Sequence, residues 1–444
     1  VTGLIPDFGS LGLTIAAFLV ALSVIVAVHE YGHYIVGRWS GIQAEVFSLG
    51  FGPVLWSRTD RRGTRWQVAA VPLGGYVKFL GDANAASAGA DEATMERLSP
   101  EERRHTMHGA PLWARAATVA AGPVFNFILS FFIFAGYIWT GGIATDRPVV
   151  AELHALPGGS GDIRSGDVIL AIAGQETPDW NALNDVSERL PATAALDYEV
   201  ERDGTRIAVT GPALMPPRIA QLEPQSAAFA ADLRAGDVIT AMDGEPIAVF
   251  DDIRTRVTEG QGQPVILGIW RDGQVFDVGL TPKVTDVPAA GGGFETRYLI
   301  GLYGDLFFTP ATRPARLGEA VSGAASNIWS VMSTSVSALG HVVAGAISTC
   351  TVRGPITIAK TSGFAAVQGL ENFVWFIAAL STAVGLLNLF PIPVLDGGHL
   401  VFHAYEWATG RPLPERALNL ALSVGLFVVL SFMIFGLSND IFCP

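Results

Sequence analysis

Cysteine is nearly absent: Cys350 and Cys443 are the only two among 444 residues. Two are too few for a disulfide framework, and both are expected to be free. Charge is scarce, at 16% of residues against 50% hydrophobic, and no basic stripe interleaves aromatics with Lys or Arg. Nothing therefore points to nucleic acid. The net charge of −13 names no partner class, because the acids are dispersed through the polar parts. No Lys or Arg precedes Arg38, and no small-residue cleavage site follows the first apolar run. That run lacks the marks of a cleaved signal peptide and reads as a retained span.

What is abundant is apolar sequence, and it is concentrated. Residues 11–28, 116–140, 373–390 and 417–437 contain no Asp, Glu, Lys or Arg. Each is near the ~20 residues that cross a bilayer. Between the first two lie Arg38, Arg58, Arg61, Arg62, Arg65, Lys78, Arg97, Arg103, Arg104 and Arg115, whereas the N-terminal tail has no basic residue. The positive-inside rule puts the tail outside and this loop in the cytoplasm. The stretch from Arg147 to Arg316 then lies outside.

That outer stretch repeats itself. "DIRSGDVILAIAGQ" from Asp162 returns as "DLRAGDVITAMDGE" from Asp232, and "ERDG" from Glu201 as "WRDG" from Trp270. One repeat is one domain of about 70 residues. The turn, β-rich run and second glycine turn resemble tandem, circularly permuted PDZ domains, at 148–213 and 217–283. PDZ domains bind extended peptides by strand addition, but neither repeat shows a clear carboxylate loop, which leaves a steric role open. On the cytoplasmic side, 39–112 opens with short alternating and β-branched runs broken at Asp60–Gly63 and Gly74-Gly75, signals of hairpins. It is apolar enough to dip into the membrane interface. Residues 82–108 turn polar and read as a surface segment. Residues 320–349 carry no Asp, Glu, Lys or Arg but are rich in Ser, Gly and Ala; they read as an interfacial helix or a fifth span.

The first apolar run ends in "HEYGH". His29, Glu30 and His33 fit H-E-x-x-H, in which two imidazoles one turn apart hold zinc and the glutamate handles protons. Ionisable groups inside a span are costly, so such a cluster is a functional candidate by default. On a helix the histidines share one face, about 6 Å of rise apart. A third ligand must come from elsewhere: Asp396 in "NLFPIPVLDGGHL", the pair His399/His403, or the pair His105/His108. Depth favours Asp396. The histidines lie about 8–14 Å below the cytoplasmic end of their span, and the third span reaches a similar depth if 320–349 does not cross. Pro391, Pro393 and Gly397-Gly398 argue against a regular helix there, which lipid tolerates only where the chain lines a cavity.

With "AGPVFN" from Ala121 and "LGGYVKF" from Leu73, these motifs resemble the site-2 protease family of intramembrane zinc metalloproteases, in its bacterial branch with tandem PDZ domains. The resemblance runs over essentially the whole chain. It implies His29, His33 and Asp396 as ligands of Zn2+ and Glu30 as catalytic acid/base. It further suggests Asn388 as a substrate-positioning residue. Gly122, Pro123 and Asn126 match the motif of the second span, in a direct role or through close helix packing.

The expected architecture is a polytopic α-helical membrane protein with four transmembrane helices, a membrane-associated β-hairpin region and two periplasmic α+β PDZ-like domains. Its parts run 1–38 (first helix), 39–112 (β-rich loop), 113–141 (second helix), 148–213 and 217–283 (repeats), 284–370 (connector), 371–398 (third helix) and 416–438 (fourth helix). Location is the bacterial inner membrane, with the site near the cytoplasmic face. A helical substrate must unwind before attack, and a β edge would replace its lost hydrogen bonds by strand addition; Gly74, Gly75 and Tyr76 are the expected edge. The resemblance implies single-span substrates, namely anti-sigma factors already cut by an upstream site-1 protease and remnant signal peptides. The repeats would exclude substrates with bulky outer domains. Membrane lipid is the remaining partner. Two rival readings are a catalytically silent PDZ scaffold binding periplasmic peptides and a metal transporter. The intact His29-Glu30-His33 with Asp396 argues against the scaffold, and residues 11–28, polar only at Thr14 and Ser23, argue against the transporter.

Overall fold

The computed structural model describes residues 8–83, 89, 91–288 and 294–443; the expectations for the extreme N-terminal tail lie outside them. The chain forms two compact units, one of residues up to 137, 317–340 and 352–443, the other of 138–316 and 341–351.

The first unit is mainly helical: α1 (Phe8–Trp39), α2 (Leu112–Gly141), α3 (Leu317–Val343), α4 (Pro355–Val367), α5 (Leu370–Asn388), α6 (Asp396–Thr409) and α7 (Glu415–Phe442). Helices α1, α2, α5 and α7 are long and apolar enough to cross a membrane; they are the four charge-free runs. Helix α3 is long but is not among them, because Ser, Gly and Ala dilute its apolar content. Its Ala324 packs with Phe134 of α2 and Ala378 of α5, while Trp329 is exposed.

Helix α4 had no sequence signal of its own, and tertiary contacts make it. A Cβ on Gly363 would fall 2.3 Å from Thr14 Oγ1, so the bare backbone lets α4 pack against α1. Its N-terminus is capped from another helix: the Asp440 carboxylate accepts from the Gly354, Ile356 and Thr357 N–H groups and from the Thr357 hydroxyl. The first-turn donors that a helix leaves unpaired are thereby satisfied.

Strands β1 (Ala44–Thr59) and β2 (Arg65–Phe79) are bent hairpins. Residues 54–59 pair with 65–69, and 46–49 pair with 65–68 on one side and 75–78 on the other. The effective order is 54–59, 65–69, 44–49, 75–79. Gly50, at φ 89°, makes the bend; a Cβ there would meet Val71 O at 2.8 Å. Phe47, Val77 and Phe79 anchor the sheet on Tyr34 of α1. At the far end Val54, Leu55, Trp56, Val71 and Leu73 are exposed. Among its described residues the polar 82–108 segment carries two short helices, Glu92–Arg97 and Pro100–Arg103, the second closed by a Ser99–Glu102 capping box.

The second unit holds the repeat. Strands β3 (Val150–Leu153), β4 (Val168–Ile172), β5 (Ala195–Arg202) and β6 (Thr205–Pro212) answer to β7 (Ile219–Leu222), β8 (Val238–Met242), β9 (Val265–Arg271) and β10 (Gln274–Leu280). Each repeat orders its sheet alike, β4-β5-β6 and β8-β9-β10. The correspondence reaches single side chains. Arg202 grips Asp167 through Nε and Nη2 at 2.8 and 2.7 Å, and Arg271 grips Asp237 in the same way at 2.6 and 2.7 Å. Left-handed residues recur at Ala173 and Asp243 and at Asp203 and Asp272. A segment after both repeats adds a strand to each: β11 (Leu302–Gly304) pairs with β7 and β12 (Phe308–Pro310) with β3. These strands cover edges that would otherwise stand open, and Phe307 and Phe308 enter the first repeat's core.

One expectation is corrected. Cys350 and Cys443 are not free; both are disulfide-bonded.

Candidate metal centre

Helix α1 carries His29 and His33 one turn apart on one face, their rings 4.8 Å apart and nearly perpendicular. Their Nε2 atoms are 3.2 Å from each other. Facing them is Asp396, with Oδ2 3.2 Å from His29 Nε2 and Oδ1 3.6 Å from His33 Nε2. Four tetrahedral positions about 2.0–2.1 Å from a zinc ion would lie about 3.3 Å apart, so the donor set fits this ion. A further sign is that Asp396 Oδ2 is buried and has no polar neighbour to satisfy it other than these imidazoles. Among the described residues, this is the cluster of three or more His, Cys, Asp and Glu side chains able to hold a metal.

Backbone explains how Asp396 arrives there. Helix α5 stops at Asn388, residues 389–395 are irregular around Pro391 and Pro393, and α6 starts at Asp396. Sequence reasoning placed Gly397 and Gly398 in the irregular stretch, but both lie in the first turn of α6. Their role is close approach: a Cβ on Gly397 would be 2.3 Å from Leu389 O, and one on Gly398 2.3 Å from Ile392 O. Without side chains there, the loop folds onto the helix start and aims Asp396 at α1.

Helix α2 forms the third wall. His33 Nδ1 is 2.8 Å from the Thr118 carbonyl, which takes its proton and leaves Nε2 bare towards Asp396. Fixing the ring through its second nitrogen is how proteins orient metal-binding imidazoles. At Gly122 a Cβ would lie 2.4 Å from His33 Nε2 and 2.8 Å from His29 Cε1. This glycine makes room for both imidazoles, a role that the motif alone did not separate from helix packing.

The cluster opens into a cavity of about 400 Å3. Glu30, Gly75, Tyr76 and Asn388 line it; Gly74 does not, and its neighbour is the Phe51 ring. Glu30 lies against strand 75–79, where a Cβ on Gly75 would be 3.1 Å from its Cγ. The other histidines considered as ligands are elsewhere. His399 and His403 line the cavity without joining the cluster. His105 bonds the Gly41 carbonyl, and His108 faces Asp82 at 3.5 Å. Burial, with the Arg115 guanidinium beside it, pushes His403 down to about 4, so its imidazole is neutral at pH 7. Arg115 itself is held by both Glu406 oxygens, at 3.1 and 2.6 Å.

Two imidazoles, a carboxylate and an adjoining glutamate are the groups a metallohydrolase uses, and here the imidazoles and the glutamate stand on a helix able to cross a membrane. Residues 17–432 match the family described as Peptidase family M50. A protein of Rhizobium meliloti named as a zinc metalloprotease is 37% identical over 445 residues, covering 97% of each chain. Proteins named regulator of sigma-E protease, from Salmonella typhimurium and Escherichia coli, are 33% and 34% identical, covering 96% of this chain and 98% of theirs. The chain belongs to Peptidase family M50, the site-2 proteases, and is a membrane-embedded peptidase of that family.

Proposed function

We propose that this zinc metalloendopeptidase cleaves peptide bonds within transmembrane segments, with His29, His33 and Asp396 holding the ion and Glu30 acting as acid/base. The carrying observation is the convergence of three donors within 4.8 Å beside Glu30 on a span-forming helix. Bound zinc supplies a water of lowered pKa and stabilisation of the developing oxyanion. Glu30 takes the water's proton and delivers one to the leaving amine. Asn388, on the cavity wall, is the proposed positioning residue for the substrate chain.

Unwinding a helix in lipid leaves backbone groups unpaired, at several kcal/mol each. The strand 75–79 answers this need. No described strand pairs with its outer edge, and it passes beside Glu30. Substrate extended along Gly75 and Tyr76 gains main-chain hydrogen bonds as it presents its scissile bond. Gly74 serves by turning the chain into that edge.

The regulator names carried by relatives support substrates of the anti-sigma-factor kind, cut beforehand by another protease, and with them remnant signal peptides. We place the chain in a bacterial inner membrane with the repeats, read as PDZ-like domains, outside. The basic residues between α1 and α2 support this, as do the oxidised cysteines, since disulfides persist in oxidising compartments. The repeats then act as a filter against bulky outer domains.

The test is co-expression of a tagged single-span substrate, trimmed outside, with wild type or Glu30→Gln. Cleavage by wild type alone, with zinc retained by the variant, is the expected result. Equal cleavage by both would remove Glu30 as the base.

A further inference from the structure

The two histidines of the cluster are treated differently behind their metal-facing nitrogens. His33 Nδ1 meets a main-chain carbonyl, an obligate acceptor, and its tautomer is fixed. His29 Nδ1 meets the side-chain amide of Asn126 at 3.2 Å, which can offer either a donor or an acceptor. Asn126 is fully buried, and its Oδ1 has no hydrogen-bond partner. Its main-chain carbonyl accepts from Ser381 Oγ on α5 at 3.0 Å, and Ser130 Oγ on α2 lies 3.0 Å from it and 2.7 Å from the Ala378 carbonyl, sharing one proton between them.

With the amide nitrogen towards His29, Nδ1 must accept and the proton sits on Nε2, which faces both His33 Nε2 and Asp396 Oδ2. With a metal bound, Nε2 needs its lone pair, so the proton moves to Nδ1 and requires an acceptor. Amide oxygen and nitrogen have the same shape, so a half-turn of the amide supplies one. No third group holds Oδ1, and turning it breaks no other bond of that atom.

We infer that Asn126 is the positioning residue for His29: its amide oxygen accepts the Nδ1 proton in the metal-bound state and selects the tautomer that leaves Nε2 free. Asn126 lies one turn beyond Gly122, so one face of α2 both makes room for the imidazoles and orients one of them. The inference rests on the zinc reading of the cluster.

The test is zinc affinity of the full-length protein in detergent, measured by competition with a chelator. Wild type is compared with Asn126→Leu, Asn126→Ala, Asn126→Asp and Ser130→Ala. Both variants lacking the acceptor are expected to lose roughly 10–100-fold in affinity. Asn126→Asp, which keeps an acceptor whichever way it turns, should bind at least as tightly as wild type. Ser130→Ala, which removes a hydroxyl shared between the Asn126 and Ala378 carbonyls and leaves the Asn126 amide in place, should be unchanged. Wild-type affinity in a folded Leu or Ala variant would overturn the inference. So would a tenfold loss in Asn126→Asp, which stands as the deciding variant if the other two fail to fold. Absence of zinc from wild type itself would overturn the cluster reading and this inference with it.

Discussion

The buried acids of the repeats and the buried polar groups behind the two imidazoles are held in opposite ways. In the repeats, Asp167 and Asp237 are almost fully buried, and each has both carboxylate oxygens gripped by an arginine and one also bonded by a backbone N–H. In the helical unit, Asn126 Oδ1 is buried without a hydrogen bond, and buried Asp396 Oδ2 has only an imidazole nitrogen beside it. An unpaired buried polar atom typically costs about 1–3 kcal/mol. Satisfied carboxylates are what stability alone would retain. An open carboxylate and amide, grouped around two imidazoles, are what a cation site retains.

The sharpest way to break that contrast is Gly122→Ala. Its methyl would collide with His33 Nε2 and His29 Cε1, and neither ring can yield without leaving the cluster. Zinc affinity is expected to fall at least about tenfold, and cleavage with it; titration with a chelator and the cleavage assay check both. Normal zinc binding would mean that the imidazoles have more room than the structure shows.

Gly75→Ala separates substrate from metal. The added methyl would press on Ser48 O, Val26 and Glu30 Cγ, at 2.8, 2.9 and 3.1 Å, but it touches no metal donor. Cleavage is expected to drop roughly tenfold to a hundredfold, the scale of a small misplacement at a reacting centre, with zinc content unchanged. Parallel loss of both would place the defect in α1 rather than at the strand edge.

In the repeats the effects should be on stability only. Asp167→Asn removes a charge that Arg202 needs, for about 2 kcal/mol, read as a lowered unfolding midpoint with zinc affinity intact. Acid should do the same to wild type. Burial raises the Asp167 pKa, but its bonds to Arg202 and the Arg164 N–H outweigh this and hold it below the ordinary value. The stabilisation is therefore complete above an unfolded-state pKa of about 3.9 and is lost as pH falls through the folded value. A smaller acid-side slope in the variant would confirm the assignment.

Sequence alone determined much of this protein. Four charge-free runs became the four membrane-length helices, because a bilayer imposes length and apolarity locally on each segment. The H-E-x-x-H spacing placed two imidazoles on one helical face, and the 70-residue offset foretold the matched repeats. Tertiary structure decided the rest. Asp396 was one of three candidates until the Pro391–Gly398 turn aimed it at α1. Helix α4 exists because Asp440 of α7 caps it and α1 packs on it. Gly122 and Asn126 have distinct duties only because α2 passes behind the histidines, and the cysteines proved oxidised rather than free. The physical reason is common to all: periodicity and propensity act between near neighbours in the chain, whereas a metal site, a borrowed cap and a contact at 2–4 Å join residues tens to hundreds apart.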